Sequence, residues 1–275
     1  MTSKVALVTG ASSGIGEATA REFLEKGYIV YAAARRTERM ADLGQAGART
    51  IELDVTDDAS LTAAVDRIIG EAGRVDVLVN NAGYGSFGAL EDVSLDEARA
   101  QFDVNIFGLA RLTQLVLPHM REQKDGYVVN ISSVGGKIWE PLGSWYHATK
   151  FAVEGLSNSL RVEVARFGIK VVIIEPGVIR SEWSDISADH LEATSTGTAY
   201  SDQAAGVARA LRGANNQRLA SEPQVVATAI GKAVSSRRPR TRYAVGGGAG
   251  FILFVQRLLT DRGFDRFIAR TIGAA

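Results

Sequence analysis

VALVTGASSGIGEATAREFLEKG, residues 5–27, decides the fold. Val5 to Thr9 is an apolar run rich in valine, Gly10, Gly14 and Gly16 follow within seven residues, and Ile15 to Lys26 carries a helical period closed by Gly27. A strand that breaks on glycines straight into a helix opens a strand-helix-strand unit. Glycines at that point let the chain turn tightly and let its backbone approach a pyrophosphate, whose charge the helix N-terminus meets. Three glycines this close often mark only a turn. Their place between the first strand and first helix points to a dinucleotide cradle of Gly10, Ser12, Ser13, Gly14, Ile15 and Gly16.

The same alternation continues outward. Further strands are expected at Ile29 to Ala34, Thr50 to Leu53, Val75 to Val79, Gly126 to Ser132, Lys170 to Glu175 and Thr241 to Val245, mostly as continuous apolar runs suited to burial on both faces. Helical periods fall between them at Ala59 to Ala72, Leu95 to Glu122, Trp145 to Phe167 and Gln224 to Ser235. The order predicts an α/β fold with one doubly wound, mostly parallel sheet over residues 1–245. Residues 178–221 carry no strong period, follow a strand's C-terminal end, and are expected to form a substrate lid.

Charge divides the 275 residues into two parts. The chain holds 31 Lys and Arg against 31 Asp and Glu, yet Arg237 to Ala275 has eight Arg, no Lys and two acids, a net +6 that leaves residues 1–236 at −6. A neutral total and an acidic body argue against a nucleic-acid binder. The stretch 246–275 reads as a basic C-terminal extension, with Phe251, Ile252, Phe254, Val255, Leu258 and Leu259 forming an amphipathic stripe near Arg257 and Arg262. Packing on the body or on a partner subunit is the expected use of that stripe, ahead of contact with an anionic membrane surface. Without cysteine there is no disulfide or thiolate metal site. The apolar run before Gly10 is too brief for a signal peptide and no stretch is long enough to span a membrane, so a cytoplasmic address is expected.

Where an acid would hold a ribose 2′-hydroxyl, after the second strand, the chain has Arg35 and Arg36. Two guanidinium groups suit a 2′-phosphate, and the missing acid points the same way, to NADP(H) rather than NAD. A solvated basic turn is the alternative. Tyr146 and Lys150 lie four apart on a predicted helix and share a face, where an ammonium group would lower the phenol's pKa. Ser133 ends a strand at the same sheet edge as the glycine turn, so all three would face one crevice.

Thr9-Gly10-x-x-x-Gly14-x-Gly16, Asn80-Asn81-Ala82-Gly83, Asn105, Ser132-Ser133, Tyr146-x-x-x-Lys150 and Pro176-Gly177 together resemble the single-domain branch of the short-chain dehydrogenase/reductase family. The resemblance covers roughly residues 4 to 180 in order and spacing. It implies a seven-stranded Rossmann fold and hydride transfer between a nicotinamide and a carbonyl or alcohol. By position, it makes Tyr146 the general acid/base, gives Ser133 the substrate oxygen, Lys150 the nicotinamide ribose and Asn105 a water relay. It places Asp54 and Val55 at the adenine, Asn81, Ala82 and Gly83 along the adenosine, and Pro176, Gly177 and Ile179 by the nicotinamide. The threonine that usually follows Pro-Gly is absent, and Ser181 is its nearest substitute.

His119, His147 and His190 share no metal-ligand spacing, so no metal site is expected, and His147 beside Tyr146 is read as support rather than catalyst. Trp139, Trp145 and Trp183 flank the catalytic strand end and the lid and would suit an apolar pocket, or core and interface equally. Glu140 and Glu182 are expected to face water. Helices 95–122 and 145–167 are more apolar than one sheet face requires, and the family resemblance implies a homodimer or homotetramer. Tyr84 to Val93 and Lys137 to Ser144 are closest to hydroxysteroid- and retinol-dehydrogenase-like members, which implies a lipophilic carbonyl or alcohol substrate. A catalytically silent NADPH sensor or scaffold is the rival, but it should have lost Ser133, Tyr146 or Lys150. A sugar-nucleotide epimerase or dehydratase would need a larger C-terminal substrate domain than this chain has room for.

Overall fold

Strands β1 (Val5–Thr9), β2 (Ile29–Ala34), β3 (Arg49–Glu52), β4 (Val77–Asn80), β5 (Gly126–Ile131), β6 (Ile169–Pro176) and β7 (Arg242–Val245) form one sheet. Their order is β3-β2-β1-β4-β5-β6-β7, with every neighbouring pair parallel. This computed structural model describes residues 3–214 and 220–271. Strand residues alternate between two faces, so each face needs its own apolar cover. On one, Ala6 and Val8 cluster with Ala20 and Phe23 of α1 (Gly14–Glu25) and with Val226 and Ile230 of α9 (Pro223–Ser235). On the other, Val5 and Leu7 meet Leu61, Val65 and Ile68 of α3 (Asp58–Ala72) and Leu112, Val116 and Met120 of α5 (Leu109–Gln123). The doubly wound Rossmann architecture follows from that two-sided burial.

The sequence reading omitted a short α2 (Ala41–Gln45) and ran residues 95–122 as one helix. The structure instead places α4 (Leu95–Phe102), a π-helical segment at Asp103–Gly108, and then α5. A widened turn of this kind recurs at functional sites, and here it carries Asn105. Helix α6 (Ser144–Val164) gives way to a 3₁₀ turn at Ala165–Phe167, capped by Gly168 at φ +76°.

The lid region also differs from its reading. It contains α7 (Trp183–Ser195) and α8 (Ser201–Ala214), while residues 215–219 lie outside the described chain. Its period was hidden because the buried face of α7 is Ser184, Ser187, Ala188, Leu191 and Ser195, small and mostly polar side chains. They fit close packing against Ala204, Val207 and Ala208 of α8, which hydropathy alone does not register.

The C-terminal stretch forms α10 (Ala249–Leu258) and α11 (Asp261–Thr271), with residues 272–275 beyond the described part. Its glycines are built into the sheet end, where Gly247 bridges Val178. The apolar stripe divides. Ile252, Leu253 and Val255 pack toward Ile138, Phe264 and Ile268, whereas Phe251, Phe254, Leu258 and Leu259 are exposed. Among the described residues no helix is long and apolar enough to cross a membrane.

Candidate active site

The crevice lies where strand order reverses, between β1 and β4. Thr9 Oγ1 ties the two strand ends together, accepting from the Asn81 and Ala82 N–H groups at 3.0 Å each and donating to the Val79 carbonyl at 3.2 Å. Asn81 Nδ2 returns the link to the Thr9 and Gly10 carbonyls at 3.0 and 3.3 Å. Gly10 and Gly14 hold left-handed conformations at φ +65° and +56°. A Cβ on Gly16 would strike the Gly10 carbonyl and stand 2.6 Å from Asn81 Nδ2, so only glycine permits this strand-helix approach.

At the head of α1 the Ser13 side chain makes no cap hydrogen bond, which leaves first-turn N–H groups for a ligand. Beside it, a Cβ on Gly14 would meet nothing nearer than Ser181 Cβ at 3.7 Å. Ser12, Ser13 and Ile15 are partly buried along this loop, and Arg35 and Arg36 stand exposed just past β2. A glycine cradle, free N–H groups and two outward guanidiniums fit a phosphorylated dinucleotide.

The remaining predicted adenosine contacts gather alongside. Asp54 Oδ1 accepts from the Thr56 N–H and hydroxyl at 2.9 and 2.7 Å; burial pushes its pKa up, but these bonds and Arg35 hold it below the usual range. Val55 packs on Gly108 of the π-helical segment, and Gly83 sits against Asn105. At the other end of the crevice, the Gly177 N–H donates to the Val245 carbonyl at 2.8 Å. Pro176 ends β6, and Ile179 is buried where it bridges Ser221.

Tyr146 projects from α6 into this edge and is buried. The Ser133 hydroxyl lies beside its phenol, and Ser133 Oγ accepts the Gly135 N–H at 3.0 Å. Lys150, one turn on, donates from Nζ to the Ile131 carbonyl at 3.0 Å and lies 6.0 Å from the Tyr146 ring centre. The expected lowering of the phenol is not what the protein's own groups produce. Burial pushes Tyr146 up to about 12, despite the opposing pull of the Ser133 hydroxyl, and nearby Glu140 adds to the rise. The same dryness brings Lys150 down to about 8, against the attraction of Glu154.

Asn105 reaches across from the π-helical segment. Its Oδ1 accepts the Tyr84 N–H at 3.0 Å while Nδ2 donates to the Tyr84 carbonyl at 2.9 Å and to Thr149 Oγ1 at 3.1 Å. Thr149 in turn donates to the Tyr146 carbonyl at 2.8 Å, so Asn105 is joined to the Tyr146 turn of α6.

Aromatic side chains pack against the Tyr146 ring. Phe87 and Trp183 stand 5.3 Å from the Tyr146 ring, centre to centre, and 5.9 Å from each other, with Leu142 in the same cluster. Of the three tryptophans, Trp183 is the one in this cluster. Trp139 packs on Phe264 and donates to Asp265 at 2.8 Å, and Trp145 packs edge-on to Phe102.

Residues 4–191 match the family described as short chain dehydrogenase. The chain belongs to the short-chain dehydrogenase/reductase family. It is 38% identical over 246 residues to the 3-ketodihydrosphingosine reductase of Bacteroides thetaiotaomicron, covering 90% of this chain and 89% of that one. A short-chain dehydrogenase from Streptomyces avermitilis superposes with a TM-score of 0.81 at 38% identity over 99% of both chains. A family member from Burkholderia phymatum, solved with NAD, gives a TM-score of 0.79 at 28% identity over 93% and 92%. Other solved relatives hold NADP or NADPH. The chain is therefore a family oxidoreductase.

The structure corrects one surface reading and adds residues the sequence did not single out. Glu182 is exposed, as expected, and there Arg39 pairs with it through two hydrogen bonds of 2.6 and 3.0 Å, which lower its pKa. Glu140 is partly buried, its carboxyl pushed up by that burial, and its N–H donates to His147 Nε2 at 3.0 Å. His147 Nδ1 lies 2.9 Å from the Gly135 carbonyl, so the ring braces the loop between Ser133 and Tyr146. Thr149, Phe87 and Leu142 were missed. A hydroxyl beside a predicted site and two apolar residues in a loop carry no pattern of their own, although Thr149 falls inside Tyr146-x-x-x-Lys150.

Proposed function

We propose that this protein is an NADP(H)-dependent oxidoreductase that interconverts a ketone or aldehyde carbonyl with an alcohol on a lipophilic substrate. The observation that carries this reading is the Tyr146 phenol, set beside Ser133 within a cluster of aromatic side chains and at the same sheet edge as the glycine cradle. Held near 12, Tyr146 is protonated at neutral pH, the form needed to donate to an oxygen on which charge develops. Ser133 shares that oxygen. Lys150 orients the ribose and lends positive charge to the phenol, and Asn105 supports proton supply through the turn it braces. When bound, NADPH supplies the hydride. Gly10, Ser12, Ser13, Gly14, Ile15 and Gly16 would hold its pyrophosphate, Arg35 and Arg36 its 2′-phosphate, and Asp54, Val55 and Asn81 to Gly83 its adenosine. Pro176, Gly177 and Ile179 would flank the nicotinamide.

Phe87, Leu142 and Trp183 support an apolar substrate, in keeping with the Bacteroides relative, whose name states reduction of a ketone. Exposed Leu95, Phe107, Phe151 and Val162 along α4 to α6 support assembly into a homodimer or homotetramer. The test follows NADPH oxidation across a panel of ketones and aldehydes of increasing chain length. Turnover that rises with apolar length and disappears in Tyr146→Phe supports the reading; coenzyme binding without turnover of any carbonyl would leave a sensor or scaffold in its place.

A further inference from the structure

The basic tail leaves half of its apolar stripe uncovered. On α10, Phe251, Phe254 and Leu258 follow one another by three and four residues and so share a face, 65, 60 and 66% exposed, and Leu259 just beyond is 40% exposed. Ile252, Leu253 and Val255, turned the other way, pack with Ile138, Phe264 and Ile268. Single apolar side chains on a surface need no explanation, but four of the eleven large exposed ones among the described residues fall between Phe251 and Leu259.

Arginine borders this patch. Every residue from Arg257 to Arg262 is exposed, and Arg266 and Arg270 continue from Arg262 at spacings of four, on the side of α11 opposite the buried Phe264 and Ile268. None of these four arginines makes an ion pair or a side-chain hydrogen bond among the described residues. Of the acids on α11, Asp265 is engaged by the Trp139 Nε1–H at 2.8 Å, and Asp261 sits in the first turn, where a helix favours an acid. Thr260 fixes the elbow between the helices: its Oγ1 accepts the Gly263 N–H at 3.4 Å and its carbonyl accepts the Phe264 N–H at 2.9 Å.

This composition selects an occupant. A second copy would meet the patch through a two-fold contact, in which the patch faces itself and unpaired guanidiniums stand near their own copies. A nucleic acid would take the arginines and leave the phenylalanines and leucines in water. An anionic lipid surface takes both, because the apolar side chains enter the boundary between headgroups and acyl chains while the guanidiniums stay at the lipid phosphates. We propose that the exposed face of α10, with Arg257 and Arg262 at its corner and Arg266 and Arg270 along α11, docks the protein on an anionic bilayer. The patch stands at the sheet edge where β5 and β7 end: Gly247, just before α10, bridges Val178, and Ile138 and Trp139 lie in the loop after Ser133. Docking therefore brings a source of lipophilic carbonyls to the edge that holds Tyr146. That consequence rests on the function proposed above, whereas docking itself does not.

Co-sedimentation of the full chain, without coenzyme, with vesicles of phosphatidylcholine alone or mixed equally with phosphatidylglycerol tests this. Binding to the mixed vesicles should exceed binding to the neutral ones by about tenfold or more and weaken as salt rises. Phe254→Ser with Leu258→Ser, and separately Arg257→Gln with Arg262→Gln, should each lower it by about tenfold. Arg237→Gln with Arg238→Gln, exposed at the other end of β7, is the control and should bind as the unaltered protein does. Failure to bind the mixed vesicles, or an equal loss in the control, overturns the proposal. A changed subunit number in the Phe254→Ser and Leu258→Ser protein with unchanged vesicle binding also overturns it and gives the face to a second copy. Should that pair not fold, the Arg257→Gln and Arg262→Gln pair decides: a loss supports docking, unchanged binding overturns it. Vesicle binding without turnover of any carbonyl would defeat the proposed function and leave docking standing.

Discussion

Gly16 sits so close to Asn81 that a methyl group on it would stand 2.6 Å from the Asn81 Nδ2, the atom that pins the ends of β1 and β4 together. Gly16→Ala should therefore cost about 1–3 kcal/mol of stability through overpacking and weaken coenzyme binding as the loop shifts. Gly70, where an added Cβ meets nothing, is the control: Gly70→Ala should be neutral or stabilising by up to about 1 kcal/mol. Urea unfolding and coenzyme titration of both variants check the pair.

Removing the phenol oxygen tests the proton donor. Tyr146→Phe keeps the ring against Phe87 and Trp183, so the fold and coenzyme affinity should persist while kcat drops by about 10²–10⁴-fold. Steady-state turnover beside coenzyme fluorescence titration separates the two effects.

Arg35 and Arg36 are exposed past β2, free of the ion pair that engages Arg39 with Glu182. Arg35→Ala and Arg36→Ala should each weaken NADPH by about 1.5–3 kcal/mol, the worth of a charge-assisted hydrogen bond, and leave NADH nearly unchanged. Equal losses for both coenzymes would defeat the NADP(H) assignment.

Lys150 gives a pH signature. Its folded value near 8 lies below the ordinary 10.5, so between those values the unfolded chain binds more protons and stability rises with pH. Below about 8 both states are protonated and the cost of burying the charge is fully present. Lys150→Met should abolish the rise between pH 8 and 10.5, measured by urea unfolding across that window.

Phe87 and Trp183 should decide substrate size. Truncating either to Ala should cost about 1.5–3 kcal/mol in kcat/KM for long-chain carbonyls and far less for small ones, because the lost term is apolar burial. A panel graded by chain length reads the difference.

The sheet was legible because strands buried on both faces must be apolar throughout, and Val5–Thr9 and Ile29–Ala34 carry that demand in their composition. The glycine cradle was legible for a steric reason that Gly16 makes plain. What stayed hidden depends on partners. Helix α7 buries serines, which hydropathy reads as surface, and the π-helical segment at Asn105 matches an ordinary helix in periodicity. The phenol's raised pKa was not legible because the sequence places an ammonium one turn from Tyr146 but says nothing of how dry the site is, and burial is the leading cause of the rise.

The packing of α11 against Ile138 and Trp139 has a consequence for synthesis. Trp139 leans on Phe264 and bonds Asp265, 126 positions later in the chain. At roughly 5–20 residues per second, a ribosome needs about 6–25 seconds to make that stretch. During that interval β1 to β5 can pair while Ile138 and Trp139 still lack their backing. The nascent protein thus passes through a stage with most of its sheet assembled and the segment at Ile138 and Trp139 still uncovered, and emergence of Phe264 and Ile268 from the exit tunnel sets the earliest time at which that cluster can close.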